Sequence, residues 1–216
     1  MSLSIARTWT KLRRIGAREN VLTWYHAAYR PPLSGAAGEA GLEPRRADLA
    51  AWYLLEVGAI PMDQVRVPRM VTYAKLARAH DDAYLETLSD PATLGRIFSV
   101  APDEIPVDEL LKTVRLACGG TVEAARWVSS SHLPALNLLG GFHHAGRARG
   151  GGFCAVNDIA VSVADMRRRG FHGKIAILDL DAHPPDGTAD CLFRDPNIWI
   201  GSISGVNSSN TWCTSA

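Results

Sequence analysis

KIAILDLDAHPPDG, residues 174–187, sets a run of aliphatic residues against a dense polar ending of Asp179, Asp181, His183 and Asp186. If Ile175 to Leu180 form a strand, side chains alternate with a period of two. Asp179, Asp181 and His183 then share one face, neighbours lying roughly 6.6 Å apart. Unpaired carboxylates that close together are costly away from water. A metal ion or a hydrogen-bonded relay would compensate them, so this strand reads as the floor of a site.

Outward from this stretch, strand and helix patterns alternate. VLTWYH (21–26) is rich in β-branched and aromatic residues and reads as a first strand. A loop rich in proline and glycine follows from Arg30 to Pro44. Arg46 to Val57 has apolar residues at helical spacing and stops before Gly58. A short strand around VRVP comes next, and then TYAKLARAHDDAYLETL (72–88), one helix or two joined by a break. Pro106 opens a long helix at a position that tolerates proline. Gly119 and Gly120 lie inside it at a cost of about 2 kcal/mol relative to alanine, which implies close approach of another backbone or a kink. ALNLL (135–139) reads as a buried strand. FCAVNDIAVSVADMRRRG carries a helix with Asn157 or Asp158 near its start and Gly170 at its end. NIWIGSIS completes an alternation that calls for a parallel sheet flanked by helices.

The 216 residues suit one α/β domain with a sizeable core better than two. Hydrophobic residues make up 47% and charged residues 21%, the balance of a globular chain and not of a disordered one. A net charge of +1 provides no field that would draw in nucleic acid or an anionic membrane. No apolar run approaches the roughly 18 residues of a membrane span. The basic stretch 1–20 lacks the apolar core of a secretory signal and reads as an arm or peripheral helix. Cys118, Cys154, Cys191 and Cys213 form no C-x-x-C pair, which argues against a zinc finger and fits reduced thiols in the cytoplasm.

In parallel α/β sheets ligands sit beyond the carboxyl ends of strands. Two strands here end in reactive residues: GGFHHAGRARGGGFC follows ALNLL and carries His143 and His144, and AHPPDG follows IAILDLD. The glycine-rich run lacks the Lys-Ser/Thr ending of a phosphate loop. Taken alone, Asp82 reads as a solvated helix carboxylate and Cys154 as a small buried residue.

GGFHHA, GFCAVNDIA and ILDLDAHPPDG, with HDDAYLETL and LACGGTVEAA in the expected order, resemble the histone deacetylase family. That group includes bacterial acetoin-utilization and acetylpolyamine amidohydrolase-like enzymes. The resemblance runs from about Val21 to Ser204. It implies the arginase–deacetylase fold, a three-layer α/β architecture with a mainly parallel sheet, incomplete here on its C-terminal side. It also implies a zinc-dependent deacetylase acting on acetyl-lysine or acetylated amines. Asp181 and His183 match two of three zinc ligands, and Fe2+ or Co2+ suits the same donors. His144 matches the general base and His143 its neighbour in the pair. Asp186 and Asp179 match the carboxylates behind these two rings. Asp179, Asp181, His183, Ser202 and Ile203 match a monovalent-cation site, K+ in character. Gly152 and Phe153 match the walls of the substrate tunnel, and Asp82 the residue at its rim.

Three features depart from the family pattern. Pro184-Pro185 stands where the family carries small or polar residues before Asp186, removing two amide donors. The family's third zinc ligand and oxyanion tyrosine lie further on than Ala216, so a truncated, inactive chain is the expectation. GVNSSNTWCTSA does not resemble the family, and 205–216 reads as a low-order tail. Two rival functions follow. Asp-Ala-His is similar to the ureohydrolases, which hold two manganese ions, but those place the next aspartate two residues after the histidine and not three. A non-catalytic remnant that binds acetylated ligands is the other.

Overall fold

The computed structural model describes residues 21–33 and 41–205. The arm read over 1–20 and the tail beyond Gly205 lie outside the described residues. Strand β1 (Leu22–Trp24) is central in a three-stranded parallel sheet, flanked by β2 (Val65–Arg66) and β3 (Ala135–Asn137). Strands β4 (Ile175–Asp179) and β5 (Ile198–Ser202) form a second parallel pair, in register from Ile175 opposite Ile198 to Asp179 opposite Ser202. Helix α1 (Arg46–Glu56) links β1 to β2. Three short helices follow: α2 (Tyr73–Leu76), α3 (Asp82–Thr87) and α4 (Pro91–Phe98). The long α5 (Val107–Ser131) leads into β3, α6 (Asp158–Arg168) into β4, and α7 (Asp186–Leu192) joins β4 to β5. The stretch 72–88 is two helices, separated where the Asp81 amide donates to the Arg147 carbonyl at 2.9 Å.

Helix α6 starts where its sequence directs. The Asn157 side chain accepts from the Ala160 amide, a standard N-cap, and Gly170 follows its end with φ of 89°. The main core gathers Leu94, Leu110, Val114, Val156, Val161 and Ile198 between the helices and the inner face of β4–β5. Burial of the second sheet is one-sided. Ile198 and Ile200 point into the core, whereas Leu178 and Trp199 on the opposite face are exposed. The expectation of a fully buried β3 is likewise corrected, since Ala135–Asn137 is half-buried along its length.

One ion cluster ties the helices together. Asp165 on α6 is buried and accepts from Arg126 of α5 at 2.7 and 2.8 Å, from Arg78 at 3.0 Å and from Arg169 at 3.0 Å. Burial pushes its carboxyl up, but the hydrogen bonds and charges of Arg126 and Arg169 outweigh that and hold it at about 2. A folded-state pKa depressed below the ordinary 3.8 contributes stability above about pH 4, and that contribution fades as pH falls toward 2. Asp165→Asn should therefore lower unfolding free energy by about 2 kcal/mol at pH 7. The difference from wild type should shrink at pH 3. Urea unfolding at the two pH values measures both, and an equal loss at both would show that packing, not charge, dominates.

Candidate active site

The polar residues at the ends of β3 and β4 meet. His143 Nδ1 donates to Asp179 Oδ2 at 2.8 Å, and His144 Nδ1 to Asp186 Oδ1 at 2.7 Å. An ionised carboxylate only accepts, so each ring carries its proton on Nδ1 and leaves Nε2 free. The two ring centroids are 4.1 Å apart, and the His183 ring lies 5.6 Å from that of His144. The two dyads differ in setting. His143 and Asp179 are nearly buried, whereas Asp186 is half-exposed. Burial raises the Asp186 carboxyl, but the His144 bond and charge, joined by those of Arg149, bring it below the usual range.

Strand β4 ends at Asp179, so Asp181 and His183 lie in the loop beyond it and not on a continued strand face. The loop folds over local bonds instead. Asp179 Oδ1 accepts from the Asp181 amide at 2.9 Å, and Asp181 Oδ1 accepts from the His183 amide at 2.8 Å. Asp181 Oδ1 and His183 Nδ1 are 3.0 Å apart, and His143 Nε2 is 3.8 Å from the same oxygen. That 3.0 Å separation is a hydrogen bond between the two side chains, and a carboxylate and an imidazole are donor types that zinc takes. Among the described residues, no group of three or more His, Cys, Asp or Glu is arranged to hold a metal. Ser202 Oγ, opposite Asp179 in the β4–β5 register, is buried without a hydrogen-bond partner among the described residues, and the Ile203 amide donates to the Asp179 carbonyl.

The start of α6 clamps the histidine loop from both sides. Asp158, fully buried, accepts from the Gly141 and Phe142 amides at 3.0 and 2.7 Å and from the Thr121 hydroxyl. Burial raises its carboxyl, against the pull of those three donors. Asn157 Nδ2 donates to the Ala145 carbonyl at 3.0 Å and to Thr188 Oγ1 at 3.1 Å, and the Thr188 amide donates to the His143 carbonyl. His80 completes the clamp: Nδ1 faces the Gly146 carbonyl at 2.8 Å, and Nε2 accepts from the Asn157 amide. Burial lowers its pKa and keeps it neutral, as those two roles require. Sequence reasoning placed Asn157 and Asp158 only as helix-start residues and missed His80 and Thr188, whose partners lie 66 and 31 residues away.

The other candidates fall at different distances from this centre. Gly152 has φ of 52° and packs so closely on His144 that a Cβ would overlap the ring. Phe153, with φ of 63°, lines a small cavity together with Arg46, Phe98, Leu139, Phe142 and Ala155. None of the His–Asp residues borders that cavity. Asp82 opens α3 and is exposed, while its neighbour Asp81 pairs with Arg147 at 2.6 Å. Burial pushes the Cys154 and Cys191 thiols up to about 12, so neither is poised as a nucleophile.

Paired histidines, each backed by an aspartate and set beside an Asp-x-His loop, meet a family pattern. The histone deacetylase domain model matches residues 41–210. The chain belongs to the histone deacetylase domain family. It is 30% identical over 158 residues to the acetoin utilization protein AcuC of Bacillus subtilis, covering 69% of this chain and 41% of that protein. It is 32% identical over 153 residues to histone deacetylase 2 of Arabidopsis thaliana, covering 68% of this chain and 39% of that one. The chain thus spans less than half the length of these two relatives. Among solved structures, an HDAC homolog complexed with SAHA matches at 26% identity with a TM-score of 0.68, over 85% of this chain and 50% of that one. The HDA15 HD domain, at 18% identity and a TM-score of 0.66, shares the fold.

Proposed function

We propose that this histone deacetylase family chain carries the general-base and metal-binding half of a zinc-dependent site that hydrolyses the acetyl amide of acetyl-lysine or of acetylated amines. The observation that carries this reading is the pair of dyads, His143–Asp179 and His144–Asp186, opening onto the Asp181–His183 donors. Zinc held by Asp181 and His183 would supply Lewis acidity toward the acetyl carbonyl and toward an attacking water. His144 has its Nδ1 proton committed to Asp186, so its Nε2 is the nitrogen that takes the proton from that water. Asp186 holds the ring in the right tautomer and supports the imidazolium that forms. His143, turned by Asp179, stands alongside as a second polar group. The unpartnered Ser202 hydroxyl beside Asp179 suits a monovalent cation such as K+, with backbone oxygens of Asp181, His183 and Ile203 as further donors. Gly152, Phe153 and Asp82 would contact the substrate.

The dimetal alternative is disfavoured because Asp179 and Asp186 are both occupied by histidines rather than turned toward a second ion. With two donors among the described residues, where catalytic zinc sites normally present three, the 216-residue chain should bind one Zn2+ more weakly than the micromolar range and show no measurable turnover. Isothermal titration should give a single weak site that disappears in Asp181→Ala and in His183→Ala. Two bound ions per chain, or one retained in both variants, would overturn the metal assignment. Turnover is read on acetyl-lysine peptide and acetylated polyamine with the full-length gene product and zinc. Binding of these ligands without hydrolysis would mark a non-catalytic binder instead.

A further inference from the structure

Asp186 follows two prolines, and that entry leaves its carboxylate poorly held. Pro184 and Pro185 have no amide protons, and Pro185, at the N-cap of α7, provides no side-chain cap. Asp179 is gripped differently: it sits on a strand, nearly buried, with one oxygen on His143 and the other on the Asp181 amide. Among the described residues the second oxygen of Asp186 has one partner, Arg149, whose Nη2 donates to Oδ2 at 2.8 Å.

Arg149 is itself anchored. Its Nη1 reaches Asp190 Oδ2 at 3.3 Å, one helical turn beyond Asp186 on α7. That Asp190 oxygen also accepts from the Arg147 amide at 2.9 Å. The Gly146 amide donates to the Arg149 carbonyl at 2.9 Å, closing a tight turn, and a Cβ at Gly146 would overlap both Asp190 and the guanidinium. The fork thus runs from the loop that carries His144 to the helix that carries its carboxylate.

We propose that Arg149 is a positioning residue for the His144–Asp186 dyad: by spanning Asp186 and Asp190 it fixes the Asp186 carboxylate, and through it the His144 ring, where the proline entry leaves no other donor. A planar guanidinium suits this task because its donors are rigidly placed relative to each other, which a lysine ammonium does not offer. A carboxylate held through Oδ2 cannot swing, so Oδ1 stays on His144 Nδ1 and Nε2 stays free. Arg149, Asp186 and Asp190 are each about half-exposed, and such ion pairs add little to global stability. The effect is local orientation. The glycine-rich run that contains Arg149 is therefore committed to internal carboxylates and not to a phosphate.

The significance of the inference rests on His144 being the base, but its test reads the ring and not turnover, so the two stand or fall separately. Protein labelled with 15N-histidine is compared at pH 8, above the ordinary imidazole pKa of about 6.5, by long-range proton–nitrogen correlation spectra of the rings. In wild type His144 should be the Nδ1–H tautomer throughout. In Arg149→Ala that population should fall below half, with His143 and its Asp179 partner unchanged. Arg149→Lys should restore part of it, and Asp190→Ala should lose part. A His144 that stays Nδ1–H in Arg149→Ala while His143 is unmoved overturns the proposal. Should Arg149→Ala disturb His143 and His80 as well, Asp190→Ala decides: it removes one arm of the fork, and an unaltered His144 there counts against the role.

Discussion

His144→Ala in the full-length gene product should lower deacetylation turnover by about 100-fold or more, the usual weight of a positioned general base. Zinc affinity should stay within about threefold. The asymmetry follows from geometry. His144 is bonded through Nδ1 to Asp186 and lies edge-on to His183, outside the Asp181–His183 donor pair. On the proposed roles, removing it deletes the proton acceptor and leaves Asp181 and His183 in place. KM should change little if the ring acts on the attacking water alone, as the proposed role requires. Steady-state kinetics on an acetyl-lysine peptide, paired with zinc titration of the same variant, measure both arms. Turnover retained within tenfold would remove His144 from the role of base, and a parallel collapse of zinc affinity would make it a ligand instead.

The chemistry of this site was legible because it is written in local motifs. A strand ending in alternating acids and a histidine pair after a second strand both point to the same rim of a parallel sheet, and His143 does meet Asp179 there. Pro184-Pro185 does not keep Asp186 from His144, which it meets at 2.7 Å. Illegible features depend on partners distant in sequence. Nothing in GRARGGGF signals that Arg149 would fork between Asp186 and Asp190, 37 and 41 residues away. The strand reading of Asp181 and His183 failed for a local reason: short Asp-to-amide bonds turn the chain immediately after Asp179, a competitor that periodicity does not register. Helix α4 escaped notice although its Asp90 cap and Pro91 start are ordinary start signals, and α7, seven residues long, is too short for a periodic pattern.

Gly119→Ala should destabilise the protein by about 3 kcal/mol or more, the upper range of overpacking effects. In an unobstructed helix interior the same change would stabilise by about 1 kcal/mol, so the sign alone is diagnostic. A Cβ at Gly119 would overlap the carbonyl oxygen of Arg69, a backbone atom that no rotamer change can move aside. The neighbouring Gly120 lies instead against side-chain atoms of Tyr29 and Asn137. This close seating of α5 brings Thr121 within reach of both Asn137 and Asp158, and Asp158 in turn holds the Gly141 and Phe142 amides just ahead of the two histidines. Helix α5 is thus coupled to the site through Thr121, Asp158 and the Gly141 and Phe142 amides. Gly119→Ala should accordingly lower the urea midpoint without changing the slope, and in the fraction that remains folded the His143 and His144 ring signals should shift together. Wild-type or higher stability in this variant would show that Arg69 yields to the methyl group, and the glycine pair would then be a tolerated kink rather than the seat of the clamp.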